Sequence, residues 1–93
     1  MIYELKQIAD AVFKVTEIEF PEIASASKKE DVVIARKLFV HFSIKKGVPT
    51  SMIAKEIRKT VASVRILNTQ DCRKIFDIFA QRIKEILATN DSS

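Results

Sequence analysis

The residue types best suited to holding an anionic partner cluster between Arg58 and Arg65. Arg58 and Lys59 supply positive charge, and Thr60 and Ser63 supply hydroxyls. Arg65 carries a planar guanidinium whose paired donors match a guanine edge or a phosphate. Thr60, at the start of a helix, would offer its hydroxyl and nearby amides to a phosphate. Ser63 can bond either a phosphate or a base edge, and small Ala62 and Ser63 let a backbone approach a groove closely. Together these are the means by which proteins grip a nucleic-acid backbone and read bases.

The charge distribution agrees. The formal net charge is +4. Residues 1–31 carry 4 basic and 7 acidic side chains, net −3; residues 32–76 carry 10 and 2, net +8; residues 77–93 carry 2 and 3, net −1. The positive charge is concentrated in the middle, where an anionic partner would dock.

Other chemistries lack their residues. There are no paired carboxylates, nucleophile–base pair, metal cluster or phosphate loop at usable spacing, so no enzymatic activity, small-molecule substrate or cofactor is predicted. His41, the one histidine, has no evident Cys, Ser or Asp partner and reads as a helix surface or half-buried residue. Cys72, the one cysteine, cannot form an internal disulfide and reads as a small core residue at the start of the last helix. No apolar run approaches the roughly 18 residues needed to span a membrane, and MIYELKQIAD lacks a signal-peptide core. A cytoplasmic protein is the expectation.

These side chains need elements to position them. With 47% hydrophobic residues, one Gly and two Pro in 93 residues, the composition predicts a single all-α domain of a few helices over residues 1–89, with 90–93 a frayed tail. No stretch alternates with period two, so no sheet is predicted. Ile2, Leu5, Ile8/Ala9 and Val12/Phe13 mark a first helix over roughly 2–14. Thr16 can cap a turn, and Pro21 suits the first turn of a short helix ending near Ala24. Ser27 and Glu30 fit a capping box opening a helix from about 28 to 46. That helix is apolar around most of its circumference, hence central, with Lys37, His41 and Lys45 on its wet face. Gly47 and Pro49 end it.

Thr50 then reads as the N-cap of a short helix with Ile53, Ala54 and Ile57 inward. After Arg58-Lys59-Thr60, a second has Val61, Val64 and Leu67 inward and Ala62, Ser63, Arg65, Ile66 and Thr69 outward. Two short helices joined by a turn of about three residues match a helix-turn-helix, although the turn often contains Gly and here does not. Asn68, Thr69, Gln70 and Asp71 can each cap the last helix, whose inward stripe reads Cys72, Ile75, Phe79, Ile83 and Ile86/Leu87 up to about residue 88. Phe76 and Ile78 fall off that stripe and suit a loop contact or a homodimer.

From about Leu5 to Leu67 the chain resembles the C-terminal DNA-binding domain of DnaA-type bacterial replication initiators. The resemblance runs through IADAVFKV, the basic SASKK, DVVIARKLFVHFSIKK, TSMIAKEI and IRKTVASVRIL. The family's signature is a Gly-rich turn followed by Arg-Asp-His-Thr-Thr-Val; here only Lys59, as a basic residue, Ser63, as a hydroxyl, and Val64 look equivalent, and the Asp and His are absent. The resemblance implies a bundle of about five helices of the DnaA domain IV or Trp-repressor-like kind. It implies Lys28, Lys29 and Arg36 as phosphate contacts, with Lys59 and Ser63 at the groove. The expected partner is double-stranded DNA, in replication or transcription control. The competing expectation is a helical protein–protein interaction module that has kept the fold and lost DNA binding.

Overall fold

The hydrophobic spacing resolves into six helices in the computed structural model, which describes residues 1–69 and 71–91, the side chains at 90 and 91 apart. In chain order they are α1 (Tyr3–Thr16), α2 (Phe20–Ile23), α3 (Glu30–Lys45), α4 (Thr50–Ile57), α5 (Val61–Leu67) and α6 (Lys74–Asp91). There is no strand among the described residues, and none of their helices is long and apolar enough to cross a membrane.

α3 is the axle. It buries Val32, Ile34, Ala35, Leu38, Phe39, Val40 and Phe42, residues spread around most of its circumference, and it touches each of the other five helices. α1 lies against both α3 and α6 through Leu5, Ile8, Ala11 and Val12. Fully burying a Leu, Ile or Phe contributes about 1.5–3 kcal/mol, so Leu38, Phe39, Leu5, Ile8, Ile53, Ile57 and Ile83 carry much of the stability. Phe20 packs edge-on against Phe39 at 5.3 Å between ring centroids, which seats α2 on the axle.

The helix ends differ from expectation in instructive ways. Thr16 does shape a turn, its Oγ1 accepting from the Ile18 amide at 3.1 Å. The capping box does not form. α3 begins at Glu30 with Lys29 at its N-cap, and the Ser27 hydroxyl accepts from the Lys29 amide instead, at 3.3 Å. α4 likewise begins at Thr50 rather than after it, with Pro49 as N-cap. The C-terminus of α3 is as predicted. Gly47 adopts φ +89°, its amide donates to Ile44 and the Val48 amide donates back to Ser43, the paired bonds of a Schellman motif.

The stripe on α6 is shifted. Its inward residues are Phe76, Ile83 and Leu87, with Phe79, Ala80 and Ile86 partly buried against them. Counting back from Ile83 by four and seven reaches Phe79 and Phe76, so Ile75 falls on the flank and is 39% exposed. Cys72 lies in the segment before α6 and is exposed, not core. The buried residue there is Asp71. α6 continues to Asp91, past the expected end near 88; Gln70 and the tail residues Ser92 and Ser93 lie outside the described residues.

Candidate nucleic-acid interface

α4 and α5 pack together in the helix-turn-helix arrangement, with Ile53, Ala54, Ile57 and Val64 all buried. Ala54 is where a larger side chain would hold the two helices apart. The turn has no glycine because Arg58 takes the conformation that glycine usually supplies, φ 57° and ψ 43°. Its amide donates to Lys55, and the Lys59 amide donates to Ala54 at 2.9 Å, a second Schellman motif. Thr60 then caps α5, its Oγ1 accepting from the Ser63 amide at 3.1 Å while its hydroxyl donates to the Ser63 hydroxyl at 3.0 Å.

α5 turns Val64 fully inward, with Val61 and Leu67 packed partly against the core. Ala62, Arg65, Ile66 and Thr69 are exposed and Ser63 is half-buried. Arg58 is exposed beside them at the turn.

The loop between α2 and α3 is fastened by two cations, to α3 itself through Arg36 and to the α4–α5 turn through Lys59. Arg36 is only 5% exposed. Its Nε donates to the Ile23 carbonyl at 2.8 Å, one Nη to Ser27 at 3.1 Å and the other to Ser25 at 2.9 Å. Burial lowers its pKa, but a guanidinium stays charged, and the carbonyls replace the water it has lost. Lys59 reaches the same loop, its Nζ donating to the Ser25 carbonyl at 2.8 Å. Burial, and then the nearby Arg36 charge, lower the Lys59 pKa. Arg36, expected as a phosphate contact, therefore has its donors engaged inside the fold and not turned to solvent. Lys59 is half-buried and serves first as a loop tie. Lys28 and Lys29 lie exposed three and four residues beyond Ser25 on the loop so held.

One cluster has no counterpart in the sequence reading. Asp71 accepts from Lys37 Nζ at 3.1 Å and from the Arg73 amide and Nε at 2.9 Å, with a further bond from an Arg73 Nη. Arg73 also faces Glu30 at 3.5 Å. The Arg73 hydrogen bonds, helped by Lys37 and against the cost of burial, hold the Asp71 carboxyl well below the usual carboxylate range. Lys37, predicted on the wet face of α3, has a side chain only 14% exposed and sits 6.0 Å from the centre of the Phe76 ring. The cluster ties the segment after α5 to α3. Asp71 lies in the polar interruption that reads only as a set of caps, and nothing local marks its partner 34 residues away.

Of the basic residues between 32 and 76, Arg36, Lys37, Lys59 and Arg73 are thus engaged within the fold. Lys45, Lys46, Lys55, Arg58, Arg65 and Lys74 are exposed. The chain matches no protein-family model, and no curated protein or solved structure gives a significant match to it.

Proposed function

We propose that the protein binds duplex DNA through α4 and α5, with α5 as the recognition helix, in replication or transcription control of the kind exercised by DnaA-type initiator domains. The observation that carries this reading is the outer face of α5. From Ile57 to Thr69 the chain has three basic residues and no acidic one. Its inward side is committed to the core, while Arg58, Arg65, Ala62 and Ile66 are exposed. A short helix presented in this way fits a major groove, with flanking cations on phosphates. Lys28 and Lys29 extend the positive surface on the fastened loop, and the acidic residues of 1–31 leave the rest of the N-terminal segment unattractive to a polyanion.

The test is fluorescence anisotropy with a random-sequence duplex at low and physiological salt. Each phosphate contact contributes about −0.9 to the slope of log affinity against log salt. The Arg58→Ala/Arg65→Ala and Lys28→Ala/Lys29→Ala variants each weaken binding and flatten that slope. Absence of binding at low salt, or binding indifferent to both variants, sinks the reading.

A second reading, a protein–protein interaction module, is favoured by α6. Phe76 is buried, so the exposed apolar pair is Ile75 with Ile78, which is 46% exposed. A homodimer or another protein seated there predicts a mass above the monomer in light scattering that an Ile78→Asp variant abolishes.

A further inference from the structure

Val64 has no exposure and defines the inward direction of α5. Successive residues of an α-helix are about 100° apart, so Ala62 and Ile66 each lie about 160° from Val64, one on either side of the opposite line. Ser63 and Arg65 lie about 100° from it, one on each flank. The crest of the helix is therefore apolar and its flanks are polar or charged. Ile66 is 70% exposed and is not among the residues packed against the core. The fold does not use this side chain, yet it is exposed on a helix whose surroundings in the chain, Ile57 to Thr69, carry basic residues and no acidic one.

Resting on the DNA-binding reading above, we propose that Ile66, with Ala62 beneath it on the same ridge, contacts the C5-methyl group of thymine in the major groove and makes the protein select thymine at that position. The thymine methyl is the apolar group that the major groove displays, and apolar side chains are its natural partners. A lysine or glutamine at the crest would seek hydrogen-bonding base edges. An isoleucine gains only where a methyl takes its place in water. Arg58 and Arg65 beside the ridge supply the complementarity to phosphate that brings a polyanion, rather than an apolar protein face, onto an exposed Ile.

The experiment selects duplexes from a randomised thymine-containing library, then remakes the selected duplex with deoxyuridine in place of thymidine, which removes only the methyl groups. Wild-type protein binds the uracil duplex more weakly by roughly fourfold for each methyl engaged, the value of one buried methylene. The Ile66→Ser variant keeps the helical circular dichroism of the wild type, binds the thymine duplex more weakly, and no longer distinguishes thymine from uracil at the position Ile66 covers. Equal wild-type affinity for the two duplexes overturns the inference, and so does an Ile66→Ser variant that retains the full difference. Should Ile66→Ser not fold, Ile66→Ala at the same exposed position takes its place, with the same two outcomes. Failure of the DNA-binding reading looks different: no duplex is enriched, and random-duplex binding ignores Arg58→Ala/Arg65→Ala.

Discussion

Arg58 serves two roles that pull in opposite directions. Its backbone closes α4 in a left-handed conformation, which costs a residue with a side chain about 1–2 kcal/mol relative to glycine. Its side chain supplies an exposed cation at the turn. Arg58→Gly separates them. The folded state loses its strain, and part of that gain is offset by the greater freedom of glycine in the unfolded chain. A net rise of up to about 1 kcal/mol is expected, seen as a higher urea midpoint with an unchanged slope. DNA affinity should fall at the same time, because a cation is gone. A variant that is more stable and binds less well is the signature; equal binding would remove Arg58 from the interface.

At the scale of elements, α5 is positioned by what lies beside it. Thr60 caps its start, the Asp71 cluster holds the chain after its end, and Arg36 and Lys59 fasten the α2–α3 loop alongside. The loop has no regular structure between Ser25 and Lys29, so its backbone carbonyls must be satisfied from outside. Arg36 does this for Ser25 and Ser27, and its Nε takes the Ile23 carbonyl at the end of α2 as well. Arg36→Met keeps comparable bulk and leaves those carbonyls without the guanidinium, a loss of about 2–4 kcal/mol, measured as a lower urea midpoint. In that background, Lys28→Ala/Lys29→Ala should cost less DNA affinity than in the wild type, because a released loop no longer presents its lysines. An undiminished cost would show that the fastening does not matter to binding.

For the molecule as a whole, the Asp71 cluster links stability to pH. The folded carboxyl is held below its ordinary value by Arg73 and Lys37, so the folded state binds fewer protons than the unfolded one across that interval. The stabilisation is complete above the unfolded carboxyl value of about 4 and is lost as the pH falls toward the lowered folded value. Asp71→Asn removes this contribution and leaves Lys37 and Arg73 without their anion. The expected cost near neutral pH is about 2–4 kcal/mol, moderated because Arg73 is partly exposed. The difference between wild type and variant should shrink as thermal melts are taken from pH 6 down to pH 3. A difference independent of pH would mean that the cluster does not carry the linkage. The same cluster reshapes the charge that a partner meets, since Lys37 and Arg73 answer Asp71 and Glu30 before they answer anything outside.

The helical class, the central place of α3, the stop at Gly47, the inward residues of α4 and α5, and the outward set on α5 except half-buried Ser63 are all legible in the spacing of the chain. Each of these follows from neighbours within about one helical turn, where a 3.6-residue period assigns sides. The shifted stripe on α6 marks the edge of that reach: Phe76 and Ile75 are adjacent candidates, and only packing against α1 and α3 chooses between them. The tertiary structure alone decided which cations are surface and which are internal. Arg36, Lys37 and Lys59 look like Arg65 in sequence, but their partners lie 13, 34 and 34 residues away at Ile23, Asp71 and Ser25. A charged side chain goes inside only where carbonyls or a carboxylate replace its water. Local pattern cannot register that replacement, because the groups that make it arrive only when the chain has folded.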